Sequence, residues 1–410
     1  MIKLYLILID IIFPILVGFI LTLLVTNISI LSYMLFSLII VLSSILMGFY
    51  EDYYSIHLSE KIRITFFTTI TAIFFQLIYL SYYSINLNIF IIKSWILIPI
   101  IILSVRYFLK INNKSINNIT ISIIGNIYKF KDHEIKILRN KKFSVKFYDG
   151  LNQYLDRVDV KSEKSNIVVI NTDSTMFQNN EALSSLNTIS LCQFMENYLR
   201  KVCIDDKSAC NDINKYNKSD ILFKRIIDYI AVIILFPILI LLSIYVISMN
   251  FLKSYNGSFI FLQKRHGEDQ GIFSVYKLRT MYVDSDIQGN TTKSDERVYP
   301  YARVLRKLRL DELPQILNIL LGHMHLVGPR AEWIELSNLY STEIDNYKLR
   351  NVVRPGITGW AQVLYQYGFD INDSKQKLMF DLYYIKNWTI WLELEICIKT
   401  IIVILDKKGF

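Results

Sequence analysis

Cysteine is scarce: the 410 residues hold four, Cys192, Cys203, Cys210 and Cys397. None falls at metal-ligand spacing, and the pair at 203 and 210 is too far apart for a CxxC site. A zinc framework is disfavoured, and free thiols in a reducing compartment are the expectation. Charge is thin as well, at 20% of residues against 52% hydrophobic ones. That is high apolar content for a soluble protein, so a membrane protein is expected first. Glycine is missing where a dinucleotide fold would need it: "IIGNIYKF" offers Gly125 alone in place of the GxGxxG spacing, which argues against nucleotide binding there. No small-residue cleavage signal follows "MIKLYLILIDIIFPILVGFI", so this stretch reads as a retained first span and not as a secretory signal.

Long apolar runs, by contrast, are plentiful. Four blocks able to cross a bilayer lie near 4–25, 29–49, 65–82 and 88–109, and they define an expected four-helix transmembrane bundle over residues 1–112. Asp10 and Pro14 interrupt the first block; an intramembrane acid is either functional or an interhelical contact. The loops "TNIS" and "SYYSINL" carry no Lys or Arg, whereas Lys3, Lys61, Arg63, Arg106, Lys110 and Lys114 flank the other ends. The positive-inside rule then puts both ends of the bundle in the cytoplasm. The formal charge of +9 on so apolar a chain points to acidic substrates or an anionic membrane surface, with no nucleic-acid partner expected.

Residues 117–215 change texture. "NITISIIGN", "FSVKFYDG" and "NIVVINTD" read as strands and "DHEIKILRN" as a short helix, which predicts a small Rossmann-like α/β domain with a partly parallel sheet. "CNDINKYNKSD" reads as a linker. The next apolar block runs from Ile226 to Met249 with Pro237 in its middle, preceded by Phe236. Proline there removes a backbone donor and kinks a helix. A segment near 224–250 that enters from the cytoplasmic face, breaks at Pro237 and returns keeps the Lys- and Arg-rich remainder inside the cell. A fifth ordinary span with a harmless proline is the alternative.

The remainder concentrates turns, arginines and acids. "GSFIFLQKRHGEDQGIFSVYKLRTM" reads as a hairpin ending on Lys277 and Arg279, which share a face if the chain is extended. "YARVLRKLRLDELPQILNILLGHMHLVGPR" sets Arg303, Arg306, Lys307 and Arg309 before adjacent acids, Asp311 and Glu312. One reading is structural: Asp311 caps a helix that Pro314 opens. The other is chemical. One carboxylate attacks a phosphorus or activates an attacking oxygen, its neighbour holds Mg²⁺, and the cations neutralise phosphoryl charge. In "LVGPR", Gly328 and Pro329 fix the turn that aims Arg330. In "RPGITGWAQV", Arg354, Gly356 and Gly359 surround a turn that could hold phosphate on backbone amides, with Trp360 for packing or the membrane interface. His323 and His325 lack a third ligand at motif spacing. The tail "FDLYYIKNWTIWLELEICIKTIIVIL" reads as interfacial helices.

"FLQKRHGEDQGIFSVYKLRTM", "LRLDELPQILNILLG", "LVGPR" and "RPGITGWAQV", in this order after a proline-interrupted apolar helix, resemble the bacterial sugar transferases that act on polyprenyl phosphate, the monotopic phosphoglycosyl transferases. The resemblance covers roughly 221–405. It implies a monotopic catalytic domain over 221–410, and the upstream layout is similar to the large multidomain branch that starts O-antigen, capsule or exopolysaccharide assembly. By that resemblance Asp311 is the nucleophile that forms a covalent phosphosugar intermediate, and Glu312, with Asp311, is associated with Mg²⁺. Pro237 is the break of a re-entrant helix, and Lys277, Arg279, Arg306 and Arg330 contact phosphates. The implied partners are a nucleotide sugar, most often a UDP-sugar, undecaprenyl phosphate, membrane lipids and a second copy in a homodimer. The implied place is the cytoplasmic face of the bacterial inner membrane. The chain departs from the family pattern at His323 and His325, where an acid and a serine are common, and at Phe236, where a serine usually precedes the proline.

Overall fold

A computed structural model describes residues 2–24, 30–46, 58–82, 91–92, 94–102, 119–126, 128–140, 143–151, 153–154, 167–171, 187–204, 210–253, 257–282, 296–365, 368 and 370–405. The described chain groups into two units, residues 1–121 with 131–146, and 122–130 with 147–410. Lys110, Lys114 and most of the polar loop after Met281 lie outside the described residues.

In the first unit, α1 (Ile2–Leu24), α2 (Ile30–Leu46) and α3 (Leu58–Tyr82) follow the first three apolar blocks, and residues 94–102 are helical within the fourth. Tyr33, Phe36, Ile40, Ala72, Leu80, Ile91, Ile98 and Ile102 share one buried cluster. Buried polar groups stitch the same helices: Tyr33 Oη lies 3.0 Å from Ser94 Oγ, and Trp95 Nε1 donates to Gln76 Oε1 at 2.7 Å. Asp10 is buried, which places this acid inside the helix packing. Among the described residues two helices, Ser59–Tyr82 and Lys218–Leu252, are long and apolar enough to cross a membrane.

The α/β expectation meets a four-stranded sheet in the order β2-β1-β3-β4, formed by β1 (Ile119–Ile124), β2 (Phe143–Tyr148), β3 (Ile167–Ile170) and β4 (Asn187–Ser190). The helix α4 (Asp132–Asn140) lies where "DHEIKILRN" predicts it, and β3 and β4 run parallel. The sequence reading missed β4, a four-residue strand without alternation. A short helical segment after β4, residues 191–199, carries the chain to Arg200, whose guanidinium is paired with both oxygens of Glu395 at 2.8 and 2.9 Å and lies 4.3 Å over the Trp360 ring. Trp360 Nε1 returns a bond to Arg200 O, and Trp360 is buried. Of the two roles expected for Trp360, the structure supports packing.

The apolar block after the linker is one helix, α5 (Lys218–Leu252), with Pro237 in its interior. The expected break at Pro237 is not seen: hydrogen-bonded helix continues on both sides, since proline removes only one backbone donor from a long ladder. One stripe of α5 is buried, at Lys224, Asp228, Val232, Leu239 and Val246, spacings of four and seven that keep one face of a helix turned inward. Against it pack β5 (Ile260–His266), β6 (Ile272–Leu278) and the short helices α6 (Ala302–Lys307) and α7 (Gln315–Leu320). Val232 and Leu239 meet Phe273, Val275, Ile316 and Ile319, and Val246 meets Leu278 and Leu305. Burying each of these aliphatic side chains stabilises the contact by about 2 kcal/mol. The other faces expose Ile233, Ile234, Leu241, Ile244 and Phe251.

The predicted hairpin is present, with β5 and β6 antiparallel from Ile260↔Leu278 to His266↔Ile272. Beyond it, β7 (His325–Val327) and β8 (Gly356–Thr358) pair in parallel, joining the two glycine motifs. The first tail helix, α8 (Ile371–Lys386), is a core helix carrying buried Leu378, Met379, Phe380, Leu382 and Tyr384, which corrects its interfacial reading. The second, α9 (Ile390–Leu405), exposes Leu394, Ile398, Ile401 and Ile402.

Candidate functional site

Asp311 and Glu312 lie in a single 3₁₀ turn, Leu310–Glu312, entered through Arg309 in the left-handed region at φ 55°. The helix α7 starts only at Gln315, behind Pro314. Asp311 is therefore not the helix cap that its position suggested, because the positive-φ residue before it turns the chain tightly one step too early.

Glu312 is buried and collects two cations. Lys277, at the end of β6, donates to Oε1 at 3.1 Å, and Arg330 donates to the same oxygen at 2.8 Å. Burial alone would push the Glu312 carboxyl up, but Arg330 and Lys277 together outweigh it and hold the group well below the usual carboxylate range. Glu312 in turn raises the Arg330 pKa, while burial lowers that of Lys277. Asp311, partly exposed beside this arrangement, is pushed up to about 6 by burial and then by the negative charge of Glu312. Two adjacent carboxylates thus differ in character. Glu312 stays charged and structural, and Asp311 titrates near neutrality, as suits a group that acts on substrate.

A small cavity of about 10 Å³ lies behind this arrangement, lined by Arg265, Val275, Lys277, Gln315, Met324, Arg330, Ala331 and Gly356. Sequence reasoning missed Arg265. It donates to Ala331 O and to Gln263 Oε1, the latter at 2.8 Å from Nη2. Burial, then Arg330, brings its pKa down to about 10, still charged at neutral pH. Strand alternation in "FLQKRH" puts Gln263 and Arg265 on one face, and that signal was available. Three cations around one small cavity make the local potential positive.

The other expected cations are spread wider. Arg306 donates to Thr280 Oγ1 at 3.4 Å and, with Lys277, moderates the rise at Asp311. Arg279 keeps to the face of Lys277, lying over Phe261, whose register partner is Lys277, but its Nε donates to Ser258 O at 2.8 Å beyond the strand end. Arg354 is held by Glu268 at 3.0 Å and is not gathered with Lys277 and Arg330 at Glu312. The glycines of "RPGITG" serve pairing rather than an anion. Gly356 N donates to Pro329 O and Gly328 N to Thr358 O, each at 2.9 Å. A Cβ on Gly356 would lie 2.0 Å from Gly328 N, so only glycine lets the two motifs cross.

His323 tilts against the Phe273 ring at 5.7 Å, and His325 is buried against Asp228. Neither joins a metal-binding group, and no cluster of three or more acidic, histidine or cysteine ligands occurs among the described residues. Glu312 spends Oε1 on Lys277 and Arg330, so a cation approaching the two acids would meet its other oxygen and the Asp311 carboxylate.

A sequence profile described as bacterial sugar transferase matches residues 219–407. The chain is similar to a UDP-N-acetylgalactosamine-undecaprenyl-phosphate N-acetylgalactosaminephosphotransferase of Aeromonas hydrophila, 38% identical over 232 residues, 56% of this chain and 54% of that protein. It is similar to a UDP-glucose:undecaprenyl-phosphate glucose-1-phosphate transferase of Xanthomonas campestris pv. campestris, 36% identical over 45% of this chain and 38% of that protein. An exopolysaccharide production protein PSS of Rhizobium leguminosarum bv. phaseoli is 34% identical over 47% of this chain and is covered over its full length. The match spans about half or less of the first two relatives.

Proposed function

The chain belongs to the bacterial sugar transferase family, and from that premise we propose that it transfers a sugar 1-phosphate from a UDP-sugar to undecaprenyl phosphate, the first step of a surface polysaccharide. The observation that carries this reading is the contrast within one turn. Glu312 is locked ionised between Lys277 and Arg330, and Asp311 beside it titrates at about 6.

In the proposed reaction an Asp311 carboxylate oxygen attacks the phosphorus that carries the sugar. The bond from that phosphorus to the UMP oxygen breaks, and UMP leaves with the electron pair. A phosphate oxygen of undecaprenyl phosphate then attacks the same phosphorus, the acyl phosphate bond breaks, and Asp311 returns to a carboxylate. Lys277, Arg330 and Arg265 supply the positive charge that phosphoryl oxygens would meet, fixed in advance by their bonds to Glu312, Ala331 and Gln263. Glu312 and Asp311 would hold Mg²⁺, which when bound neutralises phosphate oxygens.

The packing of α5 supports one-sided membrane attachment. A straight helix of this length measures roughly 50 Å, longer than the hydrocarbon core, and its inward stripe is covered by β7 and the tail helices at Lys224 and Asp228 and by the hairpin and short helices from Val232 to Val246. Those elements carry irregular backbone and charged groups that hydrocarbon does not accept. A helix so covered cannot pass through alone, so α5 lies in one leaflet with its exposed apolar faces in lipid and the site at the surface.

The test is turnover by the full chain in membrane mimetic with Mg²⁺, undecaprenyl phosphate and a panel of UDP-sugars, reading UMP and lipid-linked product. One donor should release UMP with equimolar lipid product, and Asp311→Asn should release none. No release from any donor, or an Asp311→Asn chain as fast as the native one, contradicts the proposal.

A further inference from the structure

The buried polar stripe of α5 is not used by the chemistry above, yet it reaches the strand that carries Arg330. Asp228 is 1% exposed and His325 3%. His325 Nδ1 lies 2.6 Å from Asp228 Oδ2, and Leu326 N donates to Asp228 Oδ1 at 2.7 Å. One turn earlier on the same helix, Lys224 Nζ donates to Val327 O at 3.0 Å and pairs with buried Glu393. Residues one turn apart on α5 therefore grip three successive residues of β7. Three positions after Val327 comes Arg330, through Gly328 and Pro329, whose backbone is pinned by the crossing with β8. A slip of β7 would pass through this short, stiff connection to the guanidinium on Glu312.

We propose that Asp228 and His325 are a positioning pair through which the apolar helix α5 sets Arg330 against Glu312. A carboxylate accepts only, so opposite Asp228 Oδ2 the imidazole presents Nδ1–H. Burial and the charge of Lys224 outweigh Asp228 and lower the His325 pKa, which keeps the ring neutral at pH 7 with that one tautomer. The pair ties helix α5 to the strand that precedes Arg330. Breaking a buried, fully bonded contact of this kind costs 10–100-fold in activity where an outer group orients an inner one, roughly as for metal-site supports.

The kinetic part of the test rests on the transferase reading. In the full chain, His325→Leu should lower kcat about tenfold with KM for the UDP-sugar within about twofold, because Arg330 is displaced most where charge develops. His325→Asn, whose amide donates from the Nδ1 position, should restore most of kcat. In an Arg330→Lys background, His325→Leu should cost nothing further; a merely structural role would lose the same factor again. Native kcat in His325→Leu, or an additive double variant, overturns the pair. Nitrogen NMR of ¹⁵N-histidine-labelled chain, assigned by the His325→Asn spectrum, needs no turnover. It should show the proton on Nδ1 in the native chain and on Nε2 in Asp228→Asn, and a native Nε2 proton overturns the proposal. If no donor turns over, the transferase reading fails by itself and the NMR result still decides the pair.

Discussion

Arg330 and Lys277 donate to the same oxygen of Glu312, at 2.8 and 3.1 Å, from segments that lie 18 and 35 residues away in the chain. These bonds fix two half-buried cations beside the turn that carries Asp311. Glu312→Gln leaves two half-buried cations without their counter-charge, and it should cost about 2 kcal/mol of stability and at least a hundredfold in kcat. Adding Lys277→Met should recover part of the melting temperature and none of the activity. Thermal unfolding and turnover of the three chains check this.

Activity should depend on pH through Asp311. Its carboxyl is pushed up to about 6 in the folded chain against an ordinary 3.8, and attack needs the ionised form, so kcat/KM for the UDP-sugar should rise between pH 5 and 7 with a midpoint near 6. The stability sign is opposite. A carboxyl whose pKa is raised by folding stabilises the fold relative to its ionised form below the unfolded value, and that contribution is lost as pH rises through about 6. Asp311→Asn should therefore melt higher than the native chain at pH 7.5 and lose this advantage near pH 4.

Gly356→Ala should disrupt the site without touching a charged group. The added methyl would sit 2.0 Å from Gly328 N and 2.5 Å from Thr358 O, backbone atoms that cannot give way. A loss of about 3 kcal/mol and of nearly all turnover is expected. Gly150→Ala, where a Cβ meets nothing within 4 Å, is the control that should keep both.

Single cysteines on the outer faces of α5 test how it meets the membrane. At Ile233 and Leu241, both exposed, a thiol should resist a charged maleimide from either side of sealed vesicles. At Lys218 and Lys253, flanking the apolar stretch, thiols should label from one and the same side. Labelling of 218 and 253 from opposite sides would establish a crossing helix instead.

Local chemistry was legible in the sequence and distant pairing was not. Alternation and the "RHGEDQG" turn predict the hairpin, and the adjacent acids with "LVGPR" predict the heart of the site, because each signal sits within a few residues. The parallel contact of β7 with β8 joins His325 to Gly356, 31 positions apart, and no local periodicity announces it. Arg354 looked free for phosphate until Glu268, 86 residues away, took its guanidinium. Asp228 was readable in principle: Lys224, Asp228 and Val232 recur at four-residue spacing, and two charged groups on one face of an apolar helix demand buried partners. Pro237 promised a break that the helix does not make, since local propensity yields to a stripe packed along its whole length.

The central claim is covalent attack by Asp311, and intact-protein mass measurement tests it most directly. The full chain is mixed with the UDP-sugar that supports turnover and with no undecaprenyl phosphate, then quenched in acid. The account predicts a mass increase equal to one sugar phosphate, located on the peptide bearing Asp311, removed on adding undecaprenyl phosphate, and missing from Asp311→Asn. A turning-over enzyme that carries no adduct and whose kinetics require both substrates to bind before UMP leaves would contradict it.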